Sequence, residues 1–309
     1  MEQKKVGIYG FGTMGVGIAC ALIDYSVQAE HKSGARDNGY KIFAYDENEE
    51  ALLRGRERIK KYITKRLFGK LTPTDNNLSA CEAITENILS DYLVLQKKQQ
   101  FTDCFLVIEC VPEDKALKQE VFRKLSREVG PSVIIASNTS SIPIHYMAEV
   151  SEHPERVIGI HFSNPPTHVK GIEIIPSVWT FKKTIDEAIA FLKNIGQEIF
   201  LVEKDTAGFV GNRLLGSFGI EGCRLLEEGI ASREAIDGIA KKHLNLSYGP
   251  LEVMDLIGLD VFMHFLEIMV KELPGGERFT PPAMLKKLVA EGKLGKKTRQ
   301  GFYSYPKKP

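Results

Sequence analysis

The chain has 309 residues, which is enough for two domains of ordinary size. Hydrophobic residues make up 43% and charged residues 26%, as in soluble globular proteins, and the formal net charge is +1. Such a chain has no global attraction for nucleic acid or anionic membranes, and no run approaches the roughly 20 apolar residues of a membrane-spanning helix, so we expect neither as a partner.

The N-terminus and the cysteines indicate a cytoplasmic protein. Met1–Lys5 is short and charged and leads directly into a predicted strand, so we expect no signal or transit peptide. The five cysteines are scattered, odd in number and mostly surrounded by apolar residues. This pattern predicts buried thiols in a reducing compartment.

The first two thirds of the chain alternate short apolar runs with longer amphipathic stretches. Helical periodicity marks the longer stretches, such as Met14–Ile23, Glu49–Leu67 and Lys115–Glu128. The short runs are rich in Val, Ile, Leu and Phe, as in strands buried on both faces of a parallel sheet. These predicted strands are Val6–Gly10, Lys41–Tyr45, Phe105–Val111, Val133–Ala136, Val157–Phe162, Ile172–Ile175 and Glu198–Val202. The alternation predicts a doubly wound α/β domain with a mostly parallel sheet.

Three glycines lie between the first predicted strand and the first predicted helix, in the pattern G-x-G-x-x-G. Gly10 allows a tight turn, Gly12 lets the backbone approach a pyrophosphate, and Gly15 lets the helix pack against the strand. The phosphates would lie at the helix N-terminus, which favours anions. The motif therefore predicts a Rossmann-like domain that binds a dinucleotide.

One segment does not fit a compact strand–helix–strand unit. Val27–Gly39 is polar and contains Gly34, Asn38 and Gly39, whereas such connections usually have only a few residues. We interpret it as a surface insertion, either a tolerated loop or a feature that reshapes the substrate pocket.

Asp46 ends the second predicted strand. A carboxylate there accepts hydrogen bonds from the ribose 2′-hydroxyl and repels a 2′-phosphate, which predicts NAD rather than NADP. Asp46 lies farther from the glycines than the usual distance of about 20 residues, and the insertion accounts for the difference. In the alternative interpretation, the glycines only shape a turn and Asp46 caps the next helix.

His161 lies near the C-terminal end of the predicted strand Val157–Phe162, at the edge of the sheet where α/β enzymes place their sites. If the next strand lies alongside, Glu173 can accept a hydrogen bond from one imidazole nitrogen and favour the protonated ring. The other nitrogen would be the general base needed to oxidise a secondary alcohol. A strand-end histidine is often structural, so His161 alone leaves both functions open.

The sequence changes character near Lys204. Strand signals largely vanish after this point, and helical periodicity marks Phe209–Glu228, Ser232–His243, Pro250–Leu256 and Val261–Leu273. We therefore divide the chain into an α/β domain at residues 1–204 and an all-α domain at residues 205–309. No Cys or His cluster has metal-ligand spacing, so we predict no metal.

Several motifs follow one another along nearly the whole chain. They are Ile108–Glu113, Ser137–Ser141, His161–Pro165, Gly208–Leu214, Gly249–Glu252, Gly295–Thr298 and Gly301–Tyr303. In combination they resemble the L-3-hydroxyacyl-CoA dehydrogenase family. The resemblance implies reversible, NAD-dependent oxidation of a 3-hydroxyacyl thioester, such as a CoA ester, in fatty acid metabolism. It also implies that the all-α domain binds substrate and forms a homodimer.

The resemblance implies roles for individual residues. His161 corresponds to the catalytic base and Glu173 to the carboxylate that orients it, while Ser137 and Asn212 correspond to groups that bond the reacting oxygen. The positions that correspond to cofactor contacts are Gly10, Gly12, Met14, Gly15, Asp46, Glu113, Lys118, Asn164 and Lys297. Residue types alone leave simpler alternatives: Ser137 as a turn residue, Asn212 as a polar residue at a helix start, and the two lysines as solvated surface groups.

The sequence also departs from the family pattern. Gly211 stands where an apolar residue usually precedes the asparagine, and Gly171–Ile172 replaces larger apolar residues before Glu173. Pro166 extends the turn as in lambda-crystallin-like relatives, which act on sugar acids. The insertion Val27–Gly39 is absent from typical members. These changes leave the chemistry intact but are expected to reshape the pocket.

In the family, CoA lies near a helical hairpin that follows the second strand, here about residues 49–82. The hairpin carries many basic side chains, namely Arg54, Arg56, Arg58, Lys60, Lys61, Lys65, Arg66 and Lys70. We expect some of them to contact CoA phosphates, and a solvated helix face is the alternative. Two other functions stay open: a sibling dehydrogenase of a free hydroxy acid or diketone, of the gulonate or carnitine type, and a non-catalytic, crystallin-like protein.

Overall fold

A computed structural model describes residues 3–35, 39–69, 75–98 and 100–306, with the backbone alone for residues 75–78. The chain forms two compact units. The first comprises Met1–Thr139 and Ile144–Asp205, and the second comprises Ser140–Pro143 and Thr206–Pro309. The short segment Ser140–Pro143 therefore belongs with the C-terminal part of the chain, which no local feature of the sequence indicated.

The first unit contains an eight-stranded sheet in the order β3-β2-β1-β4-β5-β6-β7-β8. The strands are β1 (Lys4–Tyr9), β2 (Tyr40–Tyr45), β3 (Leu93–Leu95), β4 (Leu106–Glu109), β5 (Ile134–Ser137), β6 (Val157–Phe162), β7 (Gly171–Pro176) and β8 (Glu198–Leu201). Neighbouring strands run parallel except β6 and β7, which are antiparallel. The predicted mostly parallel α/β sheet is confirmed. The short strand β3 was not predicted from the sequence.

Helices surround the central strands, whose side chains are almost fully buried. They are α1 (Thr13–Ser33), α2 (Glu49–Phe68), α3 (Asp75–Tyr92), α4 (Lys115–Glu128), α5 (His145–Ala148) and α6 (Lys182–Asn194). Ile8, Leu106 and Ile158, on the central strands β1, β4 and β6, have no exposed surface, as expected for strands covered on both faces. The hairpin α2–α3 extends to Tyr92, ten residues beyond its predicted end at residue 82.

The first helix corrects the interpretation of the insertion. α1 continues ten residues beyond Ile23, so Val27–Ser33 is helical and the predicted loop is wrong there. Val27 packs against the apolar core, and the helix is capped by Gly34, whose φ of 69° suits glycine. Tyr92 Oη donates to Glu30 Oε2 at 2.5 Å, which joins the added turns to α3. Residues 36–38 of the segment lie outside the described residues.

The second unit is helical. Its helices are α7 (Gly211–Glu227), α8 (Arg233–His243), α9 (Pro250–Ile257), α10 (Leu259–Glu272) and α11 (Ala283–Ala290). Met254, Leu259 and Phe262 are fully buried in its core. The predicted helical domain after the sheet is confirmed. In the described part of the chain, no helix is long and apolar enough to span a membrane.

Candidate active site

The glycine loop connects β1 to α1 in a conformation that requires glycine. Gly10 has a φ of 93°, and a Cβ there would lie 2.7 Å from the carbonyl carbon of Cys110. A Cβ on Gly15 would lie 2.1 Å from the Gly10 carbonyl oxygen, so any larger residue would separate the helix from the loop. A Cβ on Gly12 would meet no described heavy atom within 4 Å. The loop therefore leaves open space in front of the N-terminus of α1.

This space belongs to a cleft of about 470 Å³. Gly10, Gly12, Met14 and Asp46 line one side of it, and the other side is formed by Cys110, Val111, Pro112, Leu117 and Val121. The helix N-terminus has Gly12 as its N-cap, which offers no side-chain oxygen to the first N–H groups. An open, glycine-walled cleft at a helix N-terminus fits the pyrophosphate and adenosine half of NAD.

Asp46 is bonded to the glycine loop. Its Oδ2 accepts a hydrogen bond from the Phe11 N–H at 2.7 Å, and its Oδ1 accepts one from the Asn48 N–H at 2.9 Å. The N-cap of α2 is Asn48, not Asp46, so the alternative cap assignment is wrong. Each carboxylate oxygen has two lone pairs, which leaves acceptor capacity for a ribose hydroxyl.

Glu47 lines the same cleft, and sequence reasoning missed it. The Tyr9 hydroxyl donates to Glu47 Oε1 at 3.3 Å. Burial, together with the Glu47 carboxylate, raises the pKa of Tyr9, so the phenol stays a hydrogen-bond donor. A second carboxylate beside Asp46 adds negative charge at this end of the cleft.

His161 and Glu173 meet across the antiparallel pair β6–β7. They are register partners, and His161 Nδ1 lies 2.8 Å from Glu173 Oε2. Their side chains are only 15% and 14% exposed. A carboxylate at Nδ1 places the proton on that nitrogen and makes Nε2 the basic one. The backbone beside the histidine is also fixed, since the Phe162 N–H donates to Asn138 Oδ1 at 3.0 Å. The hydrogen bond expected from the sequence is present, whereas the catalytic roles stay predictions.

A buried network connects Ser137 with two predicted cofactor residues. Glu109, at the end of β4, is the register partner of Ser137 on β5. Its Oε2 accepts from Ser137 Oγ at 2.7 Å, and its Oε1 accepts from Lys118 Nζ at 2.7 Å and from the Val111 N–H at 2.6 Å. Lys118 Nζ also lies 3.5 Å from Glu113 Oε2.

The side chains of Glu109 and Lys118 are 0% and 1% exposed, so a solvated surface position for Lys118 is wrong. Burial alone would lower the pKa of Lys118, but the carboxylates of Glu109 and Glu113 hold it above its ordinary value. Glu109 was quoted within a motif but was not predicted as a site residue. The sequence does not distinguish a buried acid at a strand end from an exposed one, because the partners that bury Glu109 come from α4 and the neighbouring strand.

The turn after His161 carries the remaining predicted site residue of the first unit. Asn164 is exposed and joined to Pro165 by a cis peptide bond. Pro166 packs on α1, since a Cβ on Gly17 would lie 2.9 Å from Pro166 Cδ. This glycine therefore allows the turn to approach the helix that follows the glycine loop.

Two predicted site residues lie in the second unit. Asn212 is buried in the first turn of α7, and its Nδ2 donates to the Ser140 carbonyl oxygen at 2.9 Å. Lys297 is 45% exposed, and its Nζ lies 2.5 Å from Asp260 Oδ2. Burial alone would raise the pKa of Asp260, but the Lys297 hydrogen bond lowers it overall.

Among the described residues, no group of three His, Cys, Asp or Glu could hold a metal ion.

Models of the 3-hydroxyacyl-CoA dehydrogenase family match both parts of the chain. The NAD binding domain matches residues 5–206, and the C-terminal domain matches residues 208–305. A probable 3-hydroxybutyryl-CoA dehydrogenase of Bacillus subtilis (strain 168) is 35% identical over 309 residues, which is 100% of this chain and 99% of the relative. The mitochondrial hydroxyacyl-coenzyme A dehydrogenase of Rattus norvegicus is 33% identical over 302 residues, with 98% and 91% covered.

Solved structures agree with these matches. M. tuberculosis FadB2 superposes with a TM-score of 0.85 at 30% identity, covering 99% of this chain and 100% of that one. A (S)-3-hydroxybutyryl-CoA dehydrogenase from Ralstonia eutropha gives 0.83 at 32% identity, with 99% and 100% covered. The predicted family, the cofactor NAD and the oxidoreductase class are confirmed.

Proposed function

This chain belongs to the 3-hydroxyacyl-CoA dehydrogenase family, and we propose on that basis that it interconverts a 3-hydroxyacyl-CoA and the 3-oxoacyl-CoA of fatty acid metabolism. The observation that carries the proposal is the 2.8 Å hydrogen bond between His161 Nδ1 and Glu173 Oε2, at the end of β6. The relatives named 3-hydroxybutyryl-CoA dehydrogenase support the substrate class.

His161 acts as the general base in this proposal. Its Nε2 accepts the proton of the substrate hydroxyl, and the Glu173 carboxylate stabilises the positive charge that develops on the ring. Bound NAD would supply the hydride acceptor for the carbon atom that carries this hydroxyl. In the reverse direction the imidazolium returns the proton to the oxygen. Ser137 and Asn212 are proposed to bond the reacting oxygen, on the family resemblance alone, with Ser137 as an acceptor from the substrate hydroxyl because its own hydrogen is donated to Glu109.

The first unit holds the cofactor in this proposal. The N–H groups at the start of α1 bind the pyrophosphate, and Asp46 accepts from the adenosine ribose. Asn164 follows the base along the chain and is assigned to the nicotinamide side. Lys118 donates to the carbonyl oxygen of Val111, which lines the cleft, and Glu113 lies beside Lys118. Lys297 is assigned to the cofactor only by resemblance.

A second cavity in the first unit suits the nucleotide end of CoA. It has a volume of about 830 Å³ and lies between α1, α2 and the turn at residues 167–170. Among the described residues that line it, four are basic and one, Asp24, is acidic; the basic residues are Lys32, Lys65, Arg66 and Lys170. Tyr62 donates to Asp24, and Arg66 lies 3.7 Å from Asp24, so this acid is already engaged. The remaining positive charge favours phosphate groups.

Part of the basic run on the hairpin has a structural role instead. Arg56 and Lys60 both pair with Glu86 on α3, and Arg54 pairs with Glu50. On that side of α2 the basic side chains are therefore paired with carboxylates of the hairpin itself. We therefore assign CoA to the face that carries Lys65 and Arg66. Lys70 lies outside the described residues.

A homodimer formed by the second unit is also proposed. Several apolar side chains remain exposed on its helices, among them Leu214 at 67%, Ile239 at 53% and Val261 at 49%. Exposed apolar surface of this kind is typical of protein interfaces.

The five cysteines are all free thiols, which supports a cytoplasmic location.

The decisive experiment compares thioesters with free acids. Wild-type enzyme should oxidise (S)-3-hydroxybutyryl-CoA with NAD, and His161→Ala should lose about 10² to 10⁴ in kcat. The matched control is His153→Ala, because His153 is also paired with a carboxylate, Glu155 at 3.3 Å, but lies outside the sheet. Equal or faster turnover of L-gulonate, carnitine or free 3-hydroxybutyrate would favour the sibling enzymes. No turnover of any substrate would favour a non-catalytic protein.

A further inference from the structure

The buried network at the ends of β4 and β5 forms a closed ring of hydrogen bonds and ion pairs. Glu109 joins Lys118 to Ser137, and the Thr139 N–H donates to Ser137 Oγ at 3.2 Å. Thr139 Oγ1 then donates to Glu113 Oε1 at 2.7 Å, and Glu113 returns to Lys118. The ring lies at the carboxyl ends of parallel strands, where α/β folds place their ligands.

Lys118 directs its donors to protein acceptors. Its ammonium group has three hydrogens, and its neighbours are Glu109 Oε1 at 2.7 Å, the Val111 carbonyl oxygen at 3.1 Å and Glu113 Oε2 at 3.5 Å. With 1% of its side chain exposed, it does not present a charge to the cleft. Lys118 therefore acts on the site through Glu109 and the segment around Val111.

Stability alone gives a weak reason for this ring. Removing two charges from water is costly, and replacing a buried ion pair by neutral groups is often neutral or stabilising. Ionisable groups that are buried beside a ligand cleft are more often associated with function. Here the same carboxylate binds the Ser137 hydroxyl and the Val111 N–H, and Val111 lines the cofactor cleft.

We propose that Glu109 is a positioning residue for the reaction, which fixes the Ser137 hydroxyl relative to the cofactor cleft. Lys118 holds the carboxylate in its charged form and in place. The Ser137 hydroxyl donates to Glu109 and accepts from Thr139, so its rotation is fixed before any ligand binds. The inference rests on the proposed function in one respect, since it takes Ser137 to lie beside the reacting groups.

The test is the neutral pair Glu109→Gln/Lys118→Met. Glutamine keeps an oxygen for the Val111 N–H but turns an N–H towards Ser137, so the Ser137 hydroxyl loses its acceptor and rotates. We expect kcat to fall about 10- to 100-fold, as for a small misplacement of a reacting group. The matched control is Lys60→Met/Glu86→Gln, which removes an ion pair between α2 and α3.

Combination with Ser137→Ala separates positioning from general support. If Glu109 acts through Ser137, the triple variant Glu109→Gln/Lys118→Met/Ser137→Ala should be little slower than Ser137→Ala alone. Losses that multiply, or a neutral pair with wild-type kcat, would overturn the proposal. The proposed function is tested separately, by the turnover of CoA thioesters and by His161→Ala. Failure of either of those tests would therefore be distinguishable from the two outcomes that overturn the role of Glu109.

Glu109→Asp provides a second measurement if the neutral pair does not fold. Aspartate keeps the charge that Lys118 needs but is one methylene shorter, so it cannot hold Lys118 and Ser137 in the present geometry. We expect a folded protein with kcat lowered about tenfold and with the same lack of additivity towards Ser137→Ala. Unchanged kcat in a folded Glu109→Asp protein would also overturn the proposal.

Discussion

His161 and Glu173 face each other directly across the antiparallel pair β6–β7, with 2.8 Å between Nδ1 and Oε2. Residues opposite each other in such a pair point to the same side of the sheet, so the strand register itself brings base and carboxylate together. A shift of one residue in β7 would turn Glu173 to the other face. The register therefore decides whether the histidine has a partner.

The first prediction concerns this pair as a unit. His161→Ala should lower kcat about 10² to 10⁴-fold with little change in NAD affinity. Glu173→Gln should lower kcat less, because glutamine keeps the size and hydrogen-bonding capacity of the side chain but removes the charge that stabilises the imidazolium. The double variant should be little worse than His161→Ala. Steady-state kinetics across pH check this, and losses that multiply would contradict the assignment.

The second prediction concerns cofactor choice. The wild-type enzyme should prefer NAD, because a 2′-phosphate would meet Asp46 and the neighbouring carboxylate of Glu47. Asp46→Asn should raise the ratio of kcat/KM for NADP to that for NAD by about tenfold, which corresponds to about 1.4 kcal/mol. Glu50→Gln is the matched control, since Glu50 is exposed on α2 and pairs with Arg54. Equal use of both cofactors by the wild type would overturn the role of Asp46.

The third prediction concerns the basic cavity. Lys65→Ala should raise KM for a CoA thioester about three- to tenfold, the range expected for one partly screened phosphate contact. It should leave kcat/KM unchanged for an N-acetylcysteamine thioester, which lacks the nucleotide. Lys61→Ala is the control one turn earlier on α2, outside the cavity lining. If the two thioesters respond equally, CoA phosphates do not bind there.

The fourth prediction concerns assembly. Sedimentation should show a dimer at micromolar concentration, and Leu214→Asp should dissociate it, because the substitution places a charge in the exposed apolar surface of α7. Leu53→Asp on α2 is the control, since Leu53 is 56% exposed but belongs to the first unit. A wild-type monomer would contradict the dimer, and a dimer that withstands Leu214→Asp but dissociates with Leu53→Asp would place the interface elsewhere.

The fifth prediction concerns the C-terminal segment. Asp255 is fully buried and accepts from the Phe302 N–H at 3.0 Å and from the Tyr303 N–H and the Tyr305 hydroxyl at 2.9 Å. Asp255→Asn replaces one acceptor by a donor and should lower the free energy of unfolding by about 1–3 kcal/mol. Hydrogen exchange of residues 301–305 should therefore accelerate.

The same substitution has a pH dependence of known sign. Burial raises the pKa of Asp255 above its ordinary value of 3.8, despite the hydrogen bonds that oppose it. A raised folded pKa gives a stabilisation that is present below the unfolded pKa and is lost as pH rises through the folded pKa. The loss of unfolding free energy caused by Asp255→Asn, measured by thermal unfolding, should therefore be smaller at pH 7 than at pH 4. A cost that grows with pH would contradict this assignment.

Local sequence was sufficient to predict the features that depend on neighbouring residues. The glycine loop, the end of the second strand at Asp46 and the alternation of strands and helices all follow from local turn chemistry and periodicity. It failed at Val27–Ser33, where polar residues suggested a loop. The helix continues there because Val27 packs against the core and Glu30 accepts a hydrogen bond from Tyr92 of α3, so tertiary contacts outweigh local propensity.

The partners of the buried polar groups, by contrast, depend on how strands and helices are arranged in the fold. Glu109 and Ser137 are 28 residues apart and meet because β4 and β5 are neighbours in the sheet. The same reason explains why Lys118, a plausible surface lysine in the sequence, is fully buried. Residue types state what a side chain can donate or accept, whereas its partner and its burial depend on strand order and register, which no local pattern encodes.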